Sequence, residues 1–84
     1  MKISWSLSAM LHRTGIDINN TQLVKEILIG KEIYLDGYKT VGHITDVYPE
    51  TDLVYGEVPD KEYENMILDS RELHMCSFEI VKED

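Results

Sequence analysis

Leu23, Val24, Ile27 and Leu28 recur at i, i+1, i+4 and i+5, which places them on one side of a helix. Asn19-Asn20-Thr21-Gln22 ahead of them offers side chains that can cap its start, and Gly30 behind them ends it. A shorter helix is predicted over Ser6 to Arg13, with Leu7, Met10 and Leu11 on one face and Gly15 as its stop. A strand through Lys2 to Leu7 is the competing assignment for the same stretch.

After Gly30 the period changes to two. Glu32-Ile33-Tyr34-Leu35 leads into Asp36-Gly37, a turn pair that tolerates positive φ, and a second arm runs from Tyr38 to Val47. Pro49 and Asp52 then predict a turn inside VGHITDVYPETDLVYGEV, with Val47-Tyr48 antiparallel to Leu53-Val54-Tyr55. Pro59-Asp60 punctuates the sheet, with Asp60 as N-cap and Glu62 and Glu64 in a first helical turn. Tyr63, Met66, Ile67 and Ser70 follow at i, i+3, i+4 and i+7 and predict a helix face packed on the sheet. Cys76 to Val81 reads as a last strand. The fold expected is α+β: an N-terminal helical segment, then an antiparallel three- to four-stranded sheet with one C-terminal-half helix packed on it.

Composition narrows this picture. Eighty-four residues at 43% hydrophobic content support one core, so residues 1–84 are read as a single domain without internal boundary. Cys76 is the only cysteine, which excludes an internal disulfide and fits the reducing cytoplasm. Ser4, Ser6 and Ser8 interrupt the apolar opening and no small-x-small cleavage site follows, so no export signal is read. No apolar stretch reaches the roughly 18 residues of a membrane span.

Charge is unevenly placed. Residues 1–43 carry five basic groups and four acids, whereas residues 44–84 carry three basic groups and twelve acids. Such a field repels phosphate backbones and disfavours direct nucleic-acid binding, while it suits a partner protein with a basic surface. Asp46, Glu50, Asp52, Glu57, Glu62, Glu64, Asp69 and Glu72 are therefore the candidate contact residues. The competing explanation is solubility, since a net charge of −8 lies at the upper end of what keeps a small domain dispersed.

Candidate chemistry is sparse. His12, His43 and His74 are scattered, and His74-x-Cys76 alone is two ligands short of a closed zinc site, so neither metal nor cofactor is expected. The glycines are isolated and build no phosphate cradle. Five tyrosines, Tyr34, Tyr38, Tyr48, Tyr55 and Tyr63, suggest a sheet with an amphipathic outer face, the texture of both cross-strand packing and interfaces.

Val41-Gly42-His43-Ile44-Thr45-Asp46-Val47, then Leu53 to Val58, then a helix, then Ser77-Phe78-Glu79-Ile80-Val81 resembles the strand, strand, helix, serine-strand order of viral prohead (capsid-maturation) proteases, over about residues 32 to 81. The resemblance implies a serine nucleophile at Ser77. Leu35-Asp36 stands where that family carries its histidine-acid pair, so the expected base is missing, and His43 could replace it only by facing the same side as Ser77. A shortened, inactive relative is what this implies.

The function expected is that of a non-enzymatic acidic protein-binding domain, an accessory or inhibitor protein of a phage or mobile element acting on a host or viral protein in the host cytoplasm. The alternative is a prohead-protease-like serine hydrolase using Ser77 and His43. A virion or homo-oligomeric structural subunit is third.

Overall fold

Lys2, Ser4 and Ser6 alternate with Ile3 and Trp5, and this period of two makes Lys2–Ser6 the first strand, β1. A computed structural model describes residues 1–35, 39–59, 66–74 and 76–81. The two assignments weighed for the N-terminal segment both hold, one after the other: β1 gives way at Ser6 to the helix α1 (Leu7–Leu11), which buries Leu7, Met10 and Leu11. The helix α2 (Thr21–Leu28) starts at Asn20, whose side chain accepts from the Leu23 amide at 3.4 Å. It stops at Gly30, whose φ of 87° is costly for any residue with a Cβ. Gly30 and Lys31 then join Ile44 through two backbone hydrogen bonds of 2.8 Å, fastening the end of α2 to the sheet.

Strands β2 (Glu32–Leu35), β3 (Lys39–Tyr48) and β4 (Leu53–Glu57) form the expected meander. Val47 pairs with Val54 and Tyr48 with Leu53 around a 3-10 turn at Pro49–Thr51, as the turn residues predict. The turn expected at Asp36-Gly37 lies outside the described residues.

Beyond this meander the α+β expectation fails. Among the described residues the sheet has seven strands, including β5 (Ile67–Asp69), β6 (Cys76–Ser77) and β7 (Glu79–Ile80), in the order β6-β5-β2-β3-β4-β1-β7, every pairing antiparallel, and it is nearly closed on itself like a barrel. Ile67–Asp69, expected on the C-terminal-half helix, is the strand β5, paired with Tyr34 and Leu35 on one side and with Cys76 and Ser77 on the other. Leu68 and Ser70 are buried, whereas Met66 and Ile67 are 43% and 45% exposed, so the burial alternates and the expected helix face is not the buried one. The helical spacing misled because it passed over Leu68, whose burial between the more exposed Ile67 and Asp69 sets the period of two. Asp60 to Asn65, which hold the rest of that expected helix, lie outside the described residues.

The expected last strand is two short ones, β6 (Cys76–Ser77) and β7 (Glu79–Ile80), separated at the buried Phe78. β6 adds to β5 while β7 adds to β1, so one short segment reaches both ends of the sheet and draws them together. Closure leaves few unpaired strand edges.

Inside lie Ile3 and Trp5 of β1, Ile33 of β2, Val41, Ile44 and Val47 of β3, Val54 of β4 and Leu68 of β5, in one cluster with the buried faces of both helices. Burial at 41, 44 and 47 has a period of three because β3 is irregular twice: its register with β2 skips Val41 between Thr40 and Gly42, and its register with β4 shifts between Ile44 and Asp46. Gly56 faces this interior. A Cβ there would sit 2.6 Å from Ile33 Cδ1 and 3.0 Å from Trp5 Cη2, so the absent side chain is what lets the indole lie across β4. Gly42 is constrained differently, since its Cβ would land on the Glu57 carbonyl oxygen where β3 and β4 approach.

Candidate functional site

Because the odd-even pattern of β1 and β4 sends Ile3, Trp5, Val54 and Gly56 inward, Lys2, Ser4, Ser6, Leu53, Tyr55 and Glu57 face out. The registers set these in rows across the barrel wall. His43 lies opposite Glu57 and Glu57 opposite Lys2. Asp46 lies opposite Tyr55, Tyr55 opposite Ser4, and Ser4 opposite Glu79. Tyr48 lies opposite Leu53.

Two tyrosines dominate this face. The Tyr48 and Tyr55 rings meet edge to face, their centroids 5.5 Å apart and their planes at 77°. Tyr48 is 42% exposed. Lys2 Nζ sits 4.7 Å from the Tyr55 ring centroid, where the negative face of the ring attracts a cation. Glu50 is exposed in the turn next to Tyr48, and Asp46 is half-buried beside Tyr55. Glu57 is exposed at the end of β4, its carboxylate accepting from the Met1 nitrogen at 3.2 Å. Asp46, Glu50 and Glu79 have no cationic partner among the described residues.

Asp52, expected among these contacts, is instead built into the fold. It occupies the left-handed region at φ 57° and its carboxylate accepts from the Ser8 amide at 2.6 Å, the Ser8 hydroxyl at 2.9 Å and the Ser6 hydroxyl at 2.9 Å. Partial burial pushes this carboxyl up, but the hydrogen bonds from Ser8 and Ser6 together outweigh that and hold it below its ordinary value. The clamp fixes the β3–β4 turn, and with it Tyr48 and Glu50, against the start of α1.

The remaining acids do not extend this face. Asp69 and Glu72 belong to β5 and the loop after it, and β2 and β3 stand between β5 and β4 on that side of the wall. Glu72 pairs with Lys31 at 3.2 Å beside a shallow cleft that Glu32, Tyr34 and Arg71 also line. In that cleft the Tyr34 hydroxyl donates to Glu32 and the Arg71 guanidinium stacks 4.6 Å from the Tyr34 ring centroid. Glu62 and Glu64 lie outside the described residues.

A second group was not legible in the sequence. The His74 amide donates to the Met10 carbonyl at 3.1 Å, which brings the loop after β5 onto α1 and sets the His12 and His74 rings edge to face, centroids 5.8 Å apart. Burial pushes the Asp69 carboxyl up against the opposing pull of His74. Burial likewise pushes the Cys76 thiol up to about 11, with the Asp69 charge adding to it. Such a thiol is a poor nucleophile at neutral pH. No three His, Cys, Asp or Glu side chains among the described residues converge at metal-ligand spacing.

His43 and Ser77, the pair required by the prohead-protease resemblance, are both exposed on the barrel wall. β2 and β5 separate their strands, a spacing on the order of 14 Å along the wall. A proton cannot pass directly between them at that distance. No helix among the described residues is long and apolar enough to cross a membrane. No family model, curated protein or solved structure matches this chain.

Proposed function

We propose that this chain is a non-catalytic protein-binding domain whose acidic outer surface docks on a basic surface of a partner protein in the cytoplasm. The observation that carries this reading is the outer face of β3, β4, β1 and β7, where Asp46, Glu50 and Glu79 lack cationic partners among the described residues; Asp46 and Glu50 stand on either side of the exposed Tyr48 in the chain, and Glu79 lies further along the same wall, on β7. Desolvating an unpaired carboxylate is unfavourable unless the arriving surface supplies a cation, so this face selects for Lys and Arg and against phosphates.

The test is retention of proteins from a cell lysate on the immobilised chain at about 0.05 M and about 0.5 M salt, a range over which the Debye length shrinks from above 10 Å to below 8 Å. The reading expects proteins held at the lower salt, released at the higher, and lost when Glu50 and Glu79 are both changed to Lys. The same reversal at Asp17 and Glu26 should leave retention intact. Retention indifferent to salt and to both pairs of reversals would reduce the acidic surface to a solubility device.

A further inference from the structure

Tyr55 already shows what its neighbour Tyr48 can hold. The Lys2 ammonium lies 4.7 Å from the Tyr55 ring centroid, placed there by the β1–β4 register that sets Lys2 beside Glu57 and Ser4 beside Tyr55. Tyr48 presents the same kind of ring with 42% of its surface open, steadied by its edge-to-face contact with Tyr55. No cation among the described residues stacks on it. Glu50 lies two residues along the chain, and Asp46, opposite Tyr55, lies two residues back along β3.

From this arrangement we infer that Tyr48 is the anchor of the docking face and that it receives an arginine side chain from a basic segment of the partner protein, stacked on its ring with Glu50 and Asp46 supplying the countercharge. This rests on the protein-binding reading and adds to it a position and a residue type. Arginine suits the position better than lysine, because its planar guanidinium can stack on the ring while its edge donates to a carboxylate, and it sheds water more readily. The ring is also preorganised. Asp52 holds the Pro49–Thr51 turn against Ser6 and Ser8, so little backbone freedom remains to be lost on binding. Near-closure leaves β6 and β7, two residues each, as the edge strands, too short to template an added strand, so recognition falls to side chains on the wall.

The experiment titrates the full chain with an N-acetylated hexa-arginine amide and with its hexa-lysine counterpart, following backbone amides by NMR at low salt. Amides of residues 43–57 and 2–6 should shift and those of α2 should not. Hexa-arginine should bind more tightly than hexa-lysine. Tyr48→Ala should weaken hexa-arginine binding by about threefold to thirtyfold, and Tyr48→Phe, which keeps the ring, should retain it. Unchanged affinity in Tyr48→Ala, or equal binding of the two peptides with shifts spread over the whole surface, overturns the inference. It leaves the broader reading standing if salt-sensitive retention from lysate persists. A wild-type dimer that Tyr48→Ala dissolves also overturns it, by making the occupant a second copy of this chain. Loss of salt-sensitive retention overturns the broader reading itself.

Discussion

Asp52 and Ser8 are joined by two hydrogen bonds, one from the Ser8 amide at 2.6 Å and one from its hydroxyl at 2.9 Å, across a sequence separation of 44 residues. The contact couples the β3–β4 turn to the first residues of α1, and Ser6 completes it from the last position of β1. An acid that reads as an exposed turn residue thus serves as a second capping group for a helix remote in sequence.

Replacing Asp52 by Asn keeps a residue that tolerates the left-handed conformation but removes the charge, and should cost about 0.5 to 2 kcal/mol by urea or thermal unfolding at neutral pH. The sign of the pH dependence follows from the depressed carboxyl. Its stabilisation is present above the ordinary carboxylate value of 3.8 and is lost as the pH falls through the lower folded value. The gap between wild type and Asp52→Asn should therefore narrow on acidification below 3.8. A gap that stays constant into acid would show that the clamp does not depend on ionised Asp52. For the same reason, reversing Asp52 to Lys is no clean probe of partner binding.

What could be read from the sequence was what neighbours in the chain decide. The Asn20 cap, the Gly30 stop and the Pro49 turn each rest on backbone preferences within a few residues. β1 was ambiguous because five residues of alternation run directly into a helix with its own spacing. Barrel closure was not legible at all, since it depends on Phe78 letting two-residue segments pair with strands from opposite ends of the chain. The candidate face shows the same division. The acids and tyrosines were visible as types, but the rows that place Asp46 against Tyr55 and pull Asp52 inward exist only once the registers are known.

β5 offers a direct discrimination between helix and strand. Leu68 is 4% exposed and belongs to the core, so Leu68→Ala should cost about 2 to 5 kcal/mol. Ile67 is 45% exposed and faces outward, and Ile67→Ala should stay within about 1 kcal/mol. A helical face at these positions reverses the order, because it buries Ile67. Denaturant midpoints of the two variants decide between them.

Cys76 should be slow to react. With its thiol at about 11, alkylation by iodoacetamide at pH 8 in the folded state should run about two orders of magnitude slower than for an unperturbed cysteine, and unfolding should abolish the difference. Asp69→Asn removes the second cause of the shift and should speed the reaction while burial continues to slow it. A Cys76 that reacts at the free-thiol rate in the folded protein would mean that the β5–β6 pairing is open much of the time.

Ser77 is the residue on which a hydrolase and a binding domain give opposite expectations. Its hydroxyl lies on the exposed side of β6, opposite Ile67, and two strands separate it from His43. A serine hydroxyl without a base to take its proton is a weak nucleophile, and no other histidine among the described residues shares its strand or the strand it pairs with. A fluorophosphonate probe should accordingly label wild type no more than Ser77→Ala. Ser77→Ala should also shift unfolding free energy by less than about 0.5 kcal/mol, as exposed substitutions do, and leave protein retention from lysate unchanged. Stoichiometric labelling at Ser77, lost in Ser77→Ala and reduced in His43→Ala, would bring the two side chains together in some other arrangement of the chain and restore the prohead-protease-like reading.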